Sequence, residues 1–195
     1  MPDKIFEQLK QILKTNIFKD QELSAYLVLG LAGRADYFFL ANNENLENLA
    51  KDSAIRIGIP FCVIDHTNPI VFTTPIFRGL VIYRSYQAKN NLKYLKLFED
   101  IYLNTENEKK FRQHFFKISK QSVLNNKIEA KDLLAEVNIT KYSIGGIKLT
   151  TDNLNIAYNE KQGTLDDLMI LVSYLKQQVR DTYGIQLQEA YQIQT

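Results

Sequence analysis

The sequence contains a single cysteine, Cys62, among its 195 residues. One cysteine excludes an internal disulfide, and no second thiolate is present to complete a cysteine-based zinc site. Cys62 lies inside the apolar run PFCVI, an environment typical of a buried structural thiol rather than a reactive one. We therefore predict neither a metal site nor a reactive cysteine.

A strong excess of charge of one sign is also lacking. The chain carries 24 Lys and Arg residues against 22 Asp and Glu residues, which gives a formal net charge of +2. So small an excess does not indicate binding to nucleic acid or to an anionic membrane. No apolar run reaches the length of a membrane span and the N-terminus lacks a signal-peptide core, so we expect a soluble, cytoplasmic protein.

The third absence concerns glycine in one loop. Residues 59–83, IPFCVIDHTNPIVFTTPIFRGLVIY, read as strand, loop, strand, turn and strand. A loop that holds a nucleotide phosphate after a buried strand is typically rich in glycine, because backbone N–H groups must approach the anion. The loop DHTNP, residues 65–69, has no glycine; it contains a carboxylate and a proline.

The rest of the first half predicts mixed α and β structure. Residues 25–33, AYLVLGLAG, and residues 35–41, ADYFFLA, read as strands. A helix capped at Asn42 or Asn43 and ended by Gly58 follows. Strands on both sides of this helix form a βαβ unit, which favours a parallel pair. Two apolar helix faces are predicted: Ile5, Leu9, Ile12 and Leu13 near the N-terminus, and Leu46, Leu49, Ala50 and Ile57 in the capped helix.

The second half divides at about residue 129. Residues 87–120 are polar and rich in lysine, and they predict one or two linking helices, one of them over residues 90–103. A short helix in KIEAKDLLAEVNI, two strands around Gly145 and Gly146, and a long helix follow. Thr164 and Asp167 form a capping box for that helix, and residues 185–193, IQLQEAYQI, predict a closing strand. The buried stripe of the long helix is Leu168, Val172, Leu175 and Val179, and Gly184 ends it.

Two blocks of sequence resemble the UDP-N-acetylenolpyruvoylglucosamine reductase (MurB) family. Residues 141–188, with the glycine pair, Asn155 and Asn159, the long helix and the YGIQL strand, look like the family's C-terminal domain. Residues 29–49 and 59–82 are similar to the first half of its flavin-binding domain. Each motif alone is weak, but two blocks in the right order over about two-thirds of the chain are specific.

The resemblance implies an α+β fold in two lobes. Residues 1–85 correspond to a βαβ-containing half of a flavin-binding domain of the vanillyl-alcohol oxidase and MurB type. Residues 86–128 form a helical linker that replaces the family's middle region, and residues 129–195 are the MurB C-terminal-like domain. The family, which belongs to bacterial peptidoglycan biosynthesis, passes hydride from NADPH to FAD and then to an enolpyruvyl UDP-sugar. A serine donates the proton, with help from a glutamate and an arginine.

The chain departs from this pattern at each chemical requirement. The family's glycine-rich pyrophosphate loop aligns with Asp65, His66, Thr67, Asn68 and Pro69, where Asp65 would face the diphosphate charge and Pro69 donates no N–H. The second flavin-binding subdomain and its catalytic arginine have no counterpart, because only about 27 residues separate Tyr83 from Phe111.

Two further positions of the reductase site are altered. His114 aligns with the proton-donating serine, and Lys117 matches the family pattern; a histidine is itself a possible general acid. Ala190 stands at the position of the catalytic glutamate, and Glu189 lies one residue earlier. In a regular strand Glu189 therefore faces the side of Leu187 and Tyr191.

We therefore predict a shortened relative without catalysis and without a cofactor. It either binds a UDP-sugar or another anionic metabolite, through residues such as Lys117, Asn155 and Asn159, or it contacts a protein partner or a second copy. Arg78 and His114 are further candidate ligand contacts. The alternative is an active reductase with FAD and NADPH and a remodelled site that uses His114 and Glu189.

Overall fold

The computed structural model describes residues 3–31, 33–65, 69–87, 93–102 and 127–194. The chain divides into two compact units: unit 1 comprises Met1–Lys93 and Gln192–Thr195, and unit 2 comprises Tyr94–Tyr191. Both units contain helices and strands, which confirms the predicted α+β class. The interpretation of residues 1–85 as half of a flavin-binding domain stays a prediction.

The elements are numbered in chain order. Unit 1 begins with α1 (Lys4–Leu13), β1 (Ile17–Glu22), β2 (Arg34–Ala41), α2 (Glu44–Ile57), β3 (Phe61–Ile64), β4 (Ile70–Phe72) and β5 (Ile76–Arg84). The remaining elements are β6 (Tyr94–Lys96), β7 (Ile101–Tyr102), β8 (Lys127–Ile128), α3 (Ala130–Glu136), β9 (Ser143–Ile144), β10 (Ile147–Leu149), β11 (Ile156–Asn159), α4 (Leu165–Tyr183) and β12 (Gln192–Gln194). None of the helices in the described ranges is long and apolar enough to cross a membrane.

A four-stranded sheet forms the centre of unit 1, in the order β1-β2-β5-β3. Strands β2 and β3 each pair with β5 in parallel, so the predicted βαβ unit is confirmed, with β5 between its two strands. Helices α1 and α2 cover one face through Leu9, Ala50 and Ala54. Both faces of β5 are buried over its second half, which explains the continuous apolar run GLVIY.

The ends of α2 follow local signals in the sequence. The side chain of Asn43 accepts a hydrogen bond from the N–H of Leu46 at 2.9 Å, and Gly58 ends the helix with a φ of +78°. Its predicted face is confirmed for Ala50, whereas Leu49 is 37% exposed. Glu47 is buried in its place, at 2% exposure.

The strand predicted for residues 25–33 is wrong. This segment forms turns and a single 3-10 turn at Val28–Gly30, and Leu29 has a φ of +62°. Its apolar character has another cause, because Leu27 belongs to a cluster of buried side chains that includes Phe38. The described residues of the segment therefore supply buried side chains and no strand pairing.

Unit 2 is built on an antiparallel sheet in the order β6-β11-β10-β9. Gly145 and Gly146 form the tight connection between β9 and β10. The capping box of α4 is confirmed, with reciprocal hydrogen bonds between Thr164 and Asp167, and Gly184 ends the helix as predicted. The predicted stripe is buried as well, at Leu168, Val172, Leu175 and Val179.

Two predictions in unit 2 are corrected. The helix over residues 90–103 is wrong for residues 94–102, where β6 pairs with β11 and β7 pairs with β8. The closing strand over residues 185–193 is reduced to β12, Gln192–Gln194, preceded by one isolated bridge between Phe98 and Glu189. Some apolar side chains are buried in both places, among them Phe98 and Leu187, but short pairings replace the longer elements.

Strand β12 pairs in parallel with β4, with Ile193 opposite Val71. Because β12 belongs to unit 1, residues 94–191 lie in sequence between two parts of that unit.

Candidate functional site

The two buried carboxylates among the described residues of unit 1, Glu47 and Asp65, lie with Arg84 where its parallel strands end. Asp65 follows the last residue of β3, and Arg84 is the last residue of β5. Glu47 lies on the first turns of α2, which begins after β2. Because parallel strands end at the same edge of a sheet, the topology brings the three side chains together. This is the edge at which open α/β sheets bind ligands.

The guanidinium of Arg84 is shared between two carboxylates. Its Nε and Nη2 donate to the two oxygens of Glu47 at 2.7 and 2.8 Å, which is a bidentate pair. Its Nη1 donates to Oδ2 of Asp65 at 2.5 Å. The side chains of Glu47 and Asp65 are 2% and 5% exposed, and that of Arg84 is 27% exposed. We call these three residues the Arg84 cluster.

Glu47 has two further partners. The hydroxyl of Tyr86 donates to its Oε2 at 2.7 Å, and Nζ of Lys51 lies 2.5 Å from its Oε1. The hydrogen bonds from Arg84 lower the pKa of Glu47 to about 2, against the opposing effect of burial, with smaller contributions from Lys51 and Tyr86. The same hydrogen bonds raise the pKa of Arg84. Glu47 is therefore ionised at neutral pH.

The low pKa of Glu47 predicts acid sensitivity. Its pKa is lowered from 4.5 to about 2 on folding, so the unfolded chain binds the proton more tightly and the stabilisation is present above pH 4.5. We expect the free energy of unfolding to decline as the pH falls from about 4.5 to about 2. Urea titrations across this range should show a flatter pH profile for Glu47→Gln than for wild type. Glu7→Gln, at an exposed position of α1, should keep the wild-type profile; equal profiles for all three proteins would contradict the prediction.

At the described ends of the loop 65–69, neither the side chain of Asp65 nor Pro69 offers a hydrogen-bond donor to a diphosphate. The carboxylate of Asp65 is bound to Arg84, and Pro69 has no N–H, while its carbonyl accepts a hydrogen bond from the N–H of Gln192 at 2.9 Å. His66, Thr67 and Asn68 lie outside the described residues. FAD therefore does not fit Asp65 and Pro69 as phosphate ligands.

Asn155, a predicted ligand contact, uses its side-chain amide to bind the backbone of Phe98. It is 3% exposed. Its Oδ1 accepts from the N–H of Phe98, and its Nδ2 donates to the carbonyl of Phe98, both at 2.9 Å. The carbonyl of Asn155 accepts from the N–H of Leu97. The side-chain amide thus pairs with the backbone N–H and C=O of Phe98, as the backbone of a neighbouring strand would.

We expect Asn155→Ala to lower the free energy of unfolding by about 2 kcal/mol, because it leaves the buried N–H and C=O of Phe98 without the amide. Chemical denaturation measures this loss. Asn42→Ala is the control: its amide contacts Asn43 in an exposed position, and we expect a change below about 0.5 kcal/mol. An Asn155→Ala variant as stable as Asn42→Ala would restore Asn155 as a ligand-binding candidate.

Asn159 binds the loop before α4 in the same manner. Its Oδ1 accepts from the N–H of Gly163 at 2.8 Å, and its Nδ2 donates to the carbonyl of Gly163 at 3.2 Å. The N–H of Thr164 donates to Oδ2 of Asp167 and lowers the pKa of that carboxyl, with a smaller contribution from the N–H of Gly146. Residues that carry the C-terminal resemblance therefore form one packed corner between β10, β11 and α4.

The other predicted site residues have partners of their own or lie outside the described residues. Glu189 lies in unit 2, with its Oε1 2.6 Å from Nζ of Lys176 on α4. Arg78 is 74% exposed and pairs with Asp36 at 3.0 Å. His114 and Lys117 lie outside the described residues. A catalytic role for Glu189 or His114 stays a prediction.

No metal centre appears in the part of the chain that the structure describes, where no group of three or more His, Cys, Asp or Glu side chains is placed to hold an ion. Cys62 is 7% exposed, and burial raises the pKa of its thiol to about 12. The thiol is therefore protonated at neutral pH, as expected for a structural cysteine.

Arg84 and Glu47 were missed as site residues in the sequence. The sequence did contain a signal, which is the position of Glu47. This residue lies one position after Leu46 and three positions before Ala50, on the apolar side of the predicted helix. A buried carboxylate requires a cationic partner. Arg84, directly after the apolar run GLVIY, was a candidate for that partner.

Comparison with known proteins agrees with this architecture. A family model described as the C-terminal domain of UDP-N-acetylenolpyruvoylglucosamine reductase matches residues 70–194. The UDP-N-acetylenolpyruvoylglucosamine reductase of Anoxybacillus flavithermus is 31% identical over 64 residues, which cover 33% of this chain and 21% of the relative. That of Solibacter usitatus is 31% identical over 70 residues, which cover 36% of this chain and 22% of the relative. Each alignment spans about a fifth of the relative's length.

The match begins at the first residue of β4 and ends at the last residue of β12, so it includes β5 of unit 1 and the whole of unit 2. These elements define an α+β protein with a reductase-type C-terminal domain. The chain belongs to the UDP-N-acetylenolpyruvoylglucosamine reductase (MurB) family.

Proposed function

We propose that this chain is a shortened MurB-family member that binds no FAD at residues 65–69, does not catalyse the reductase reaction, and acts as a binding protein. The observation that carries the proposal is the Arg84 cluster. At the strand ends where a nucleotide phosphate would need hydrogen-bond donors, the guanidinium of Arg84 is already bound to Glu47 and Asp65. A diphosphate would also meet the negative charge of Asp65.

A protein partner or a second copy of the chain is favoured over a nucleotide sugar. The amides of Asn155 and Asn159, which would have contacted a sugar nucleotide, are bound within unit 2. Tyr94 and Tyr158 form a T-shaped pair across β6 and β11 with centroids 6.2 Å apart, and Tyr94 is 43% exposed. Tyrosine is enriched at protein interfaces because it combines an apolar ring with a polar end.

The test of the catalytic half of the proposal is the absorbance spectrum of the purified protein, followed by titration with FAD. We expect no flavin band, no saturable uptake of FAD, and no NADPH oxidation with the enolpyruvyl UDP-sugar. The reductase of A. flavithermus, assayed in parallel, is the positive control for activity. A flavin band near one equivalent, or turnover, would overturn the proposal in favour of an active reductase.

The nature of the partner is tested separately, by light scattering after size-exclusion chromatography and by calorimetric titration with UDP-N-acetylglucosamine. We expect self-association, or no affinity for the nucleotide sugar. A monomer that binds UDP-N-acetylglucosamine with saturation would instead support the ligand-binding function.

A further inference from the structure

Arg84 has the position and the chemistry of an anion-binding residue. It ends β5, in the middle of three parallel strands, at the edge where α/β sheets bind ligands. A guanidinium is suited to phosphate and carboxylate because its N–H groups form a planar fork. Both anions that it holds, however, belong to this chain.

The two carboxylates bind Arg84 in different ways. Glu47 takes the Nε and Nη2 groups in a bidentate pair and is itself held by Lys51 and Tyr86. Asp65 takes only Nη1. Removal of the Asp65 carboxylate would therefore leave the orientation of Arg84 fixed by Glu47 and would leave one N–H group for another anion.

The side chain of Arg84 is accessible to solvent in part, at 27% exposure, whereas that of Asp65 is 5% exposed. The carboxylate of Asp65 is thus the inner of the two groups. Its loss would remove the acceptor that Nη1 now contacts.

We propose that Asp65 is an internal ligand that occupies the anion-binding position of Arg84 and so excludes external phosphate from this edge of the sheet. Asp65 would then be the specificity-determining residue of the edge. The inference rests on the proposed function, because it gives the reason why a phosphate-bearing cofactor is not held there.

The test is a calorimetric titration of wild type, Asp65→Ala and Asp65→Asn with inorganic diphosphate at pH 7. We expect Asp65→Ala to bind diphosphate at least about tenfold more tightly than wild type, because a charge-assisted contact to Nη1 becomes available. Asp65→Asn removes the repulsive charge but keeps an oxygen that accepts from Nη1, so we expect a smaller gain from it, which still tests the effect of the charge if Asp65→Ala does not fold. Cooperative urea unfolding verifies that each variant is folded.

Asp36→Ala is the matched control. It removes a carboxylate from a different arginine, Arg78, in an exposed pair of 3.0 Å on the same sheet. We expect no gain in diphosphate affinity from this change. Addition of Arg84→Lys to Asp65→Ala should remove the gain, since lysine lacks the fork that Glu47 orients.

The inference is overturned if the folded Asp65 variants bind diphosphate no more tightly than wild type, or if Asp36→Ala gains as much. Its failure is distinguishable from that of the proposed function. FAD uptake by wild type bears on the proposed function, whereas the inference depends on the difference in diphosphate affinity between wild type and the Asp65 variants.

Discussion

Replacement of Arg84 by methionine is expected to lower the free energy of unfolding by about 3–5 kcal/mol. The change leaves two carboxylates, Glu47 and Asp65, buried side by side without the guanidinium that both of them bind. Methionine keeps much of the length of the arginine stem, so the loss reports the charge rather than the packing. Urea denaturation at pH 7 measures it directly.

The control for this prediction is Arg78→Met. Arg78 also pairs with a carboxylate, that of Asp36, but its side chain is 74% exposed, and exposed pairs contribute at most about 1 kcal/mol. A triple variant, Glu47→Gln, Asp65→Asn and Arg84→Met, should regain part of the stability lost in Arg84→Met because no unpaired charge remains. The prediction is wrong if Arg84→Met and Arg78→Met are equally stable.

Gly146→Ala is expected to cost about 3 kcal/mol or more, at the upper end of what overpacking costs. A Cβ atom at this position would lie inside contact distance of backbone atoms of Lys161 and Gly163. These atoms belong to the loop that Asn159 holds, and backbone cannot rotate away as a side chain does. The two strands β10 and β11 would have to separate from the start of α4.

Thermal and urea unfolding of Gly146→Ala measure this cost, with Gly58→Ala as the control. Gly58 has a φ of +78°, but an alanine methyl group at this position would have no atom within 4 Å beyond its immediate chain neighbours and its own helix backbone. Only the left-handed backbone opposes alanine at this position, which costs about 1–2 kcal/mol. If Gly146→Ala lowered the free energy of unfolding no more than Gly58→Ala, the prediction that the close backbone contact excludes a side chain at Gly146 would be wrong.

The elements that could be predicted from the sequence are those defined by neighbouring residues. The capping box at Thr164 and Asp167, the stop at Gly184 and the cap at Asn43 each involve side chains and backbone within a few positions, and all are confirmed. The periodic apolar stripe of α4 is equally local. Such signals do not depend on what the rest of the chain does.

The Arg84 cluster could not be found in this way, because its members come from distant parts of the sequence. Arg84 lies 37 residues from Glu47 and 19 from Asp65. Only the parallel order of β2, β5 and β3 brings them to one edge. The family resemblance drew attention to Asp65, but the partner that explains this carboxylate required the sheet.

The short strands were mispredicted for a related reason. Tyr94–Lys96 has only three residues, and its strand conformation is fixed by pairing with β11, about 60 positions later. A three-residue segment has too few side chains to show a period of two, and the lysines around it favour helix.

The pairing of β4 with β12 constrains the time at which unit 1 can be completed during synthesis. The hydroxyl of Thr73, next to β4, donates to the carbonyl of Gln194, 121 positions later. A ribosome that has finished β5 must therefore make all of residues 94–191 before β4 meets its neighbour, and Ile70, Val71 and Phe72 stay without that strand in the meantime. Closing so long a loop is slow, so nascent chains stalled before residue 192 should expose the unpaired backbone edge of β4.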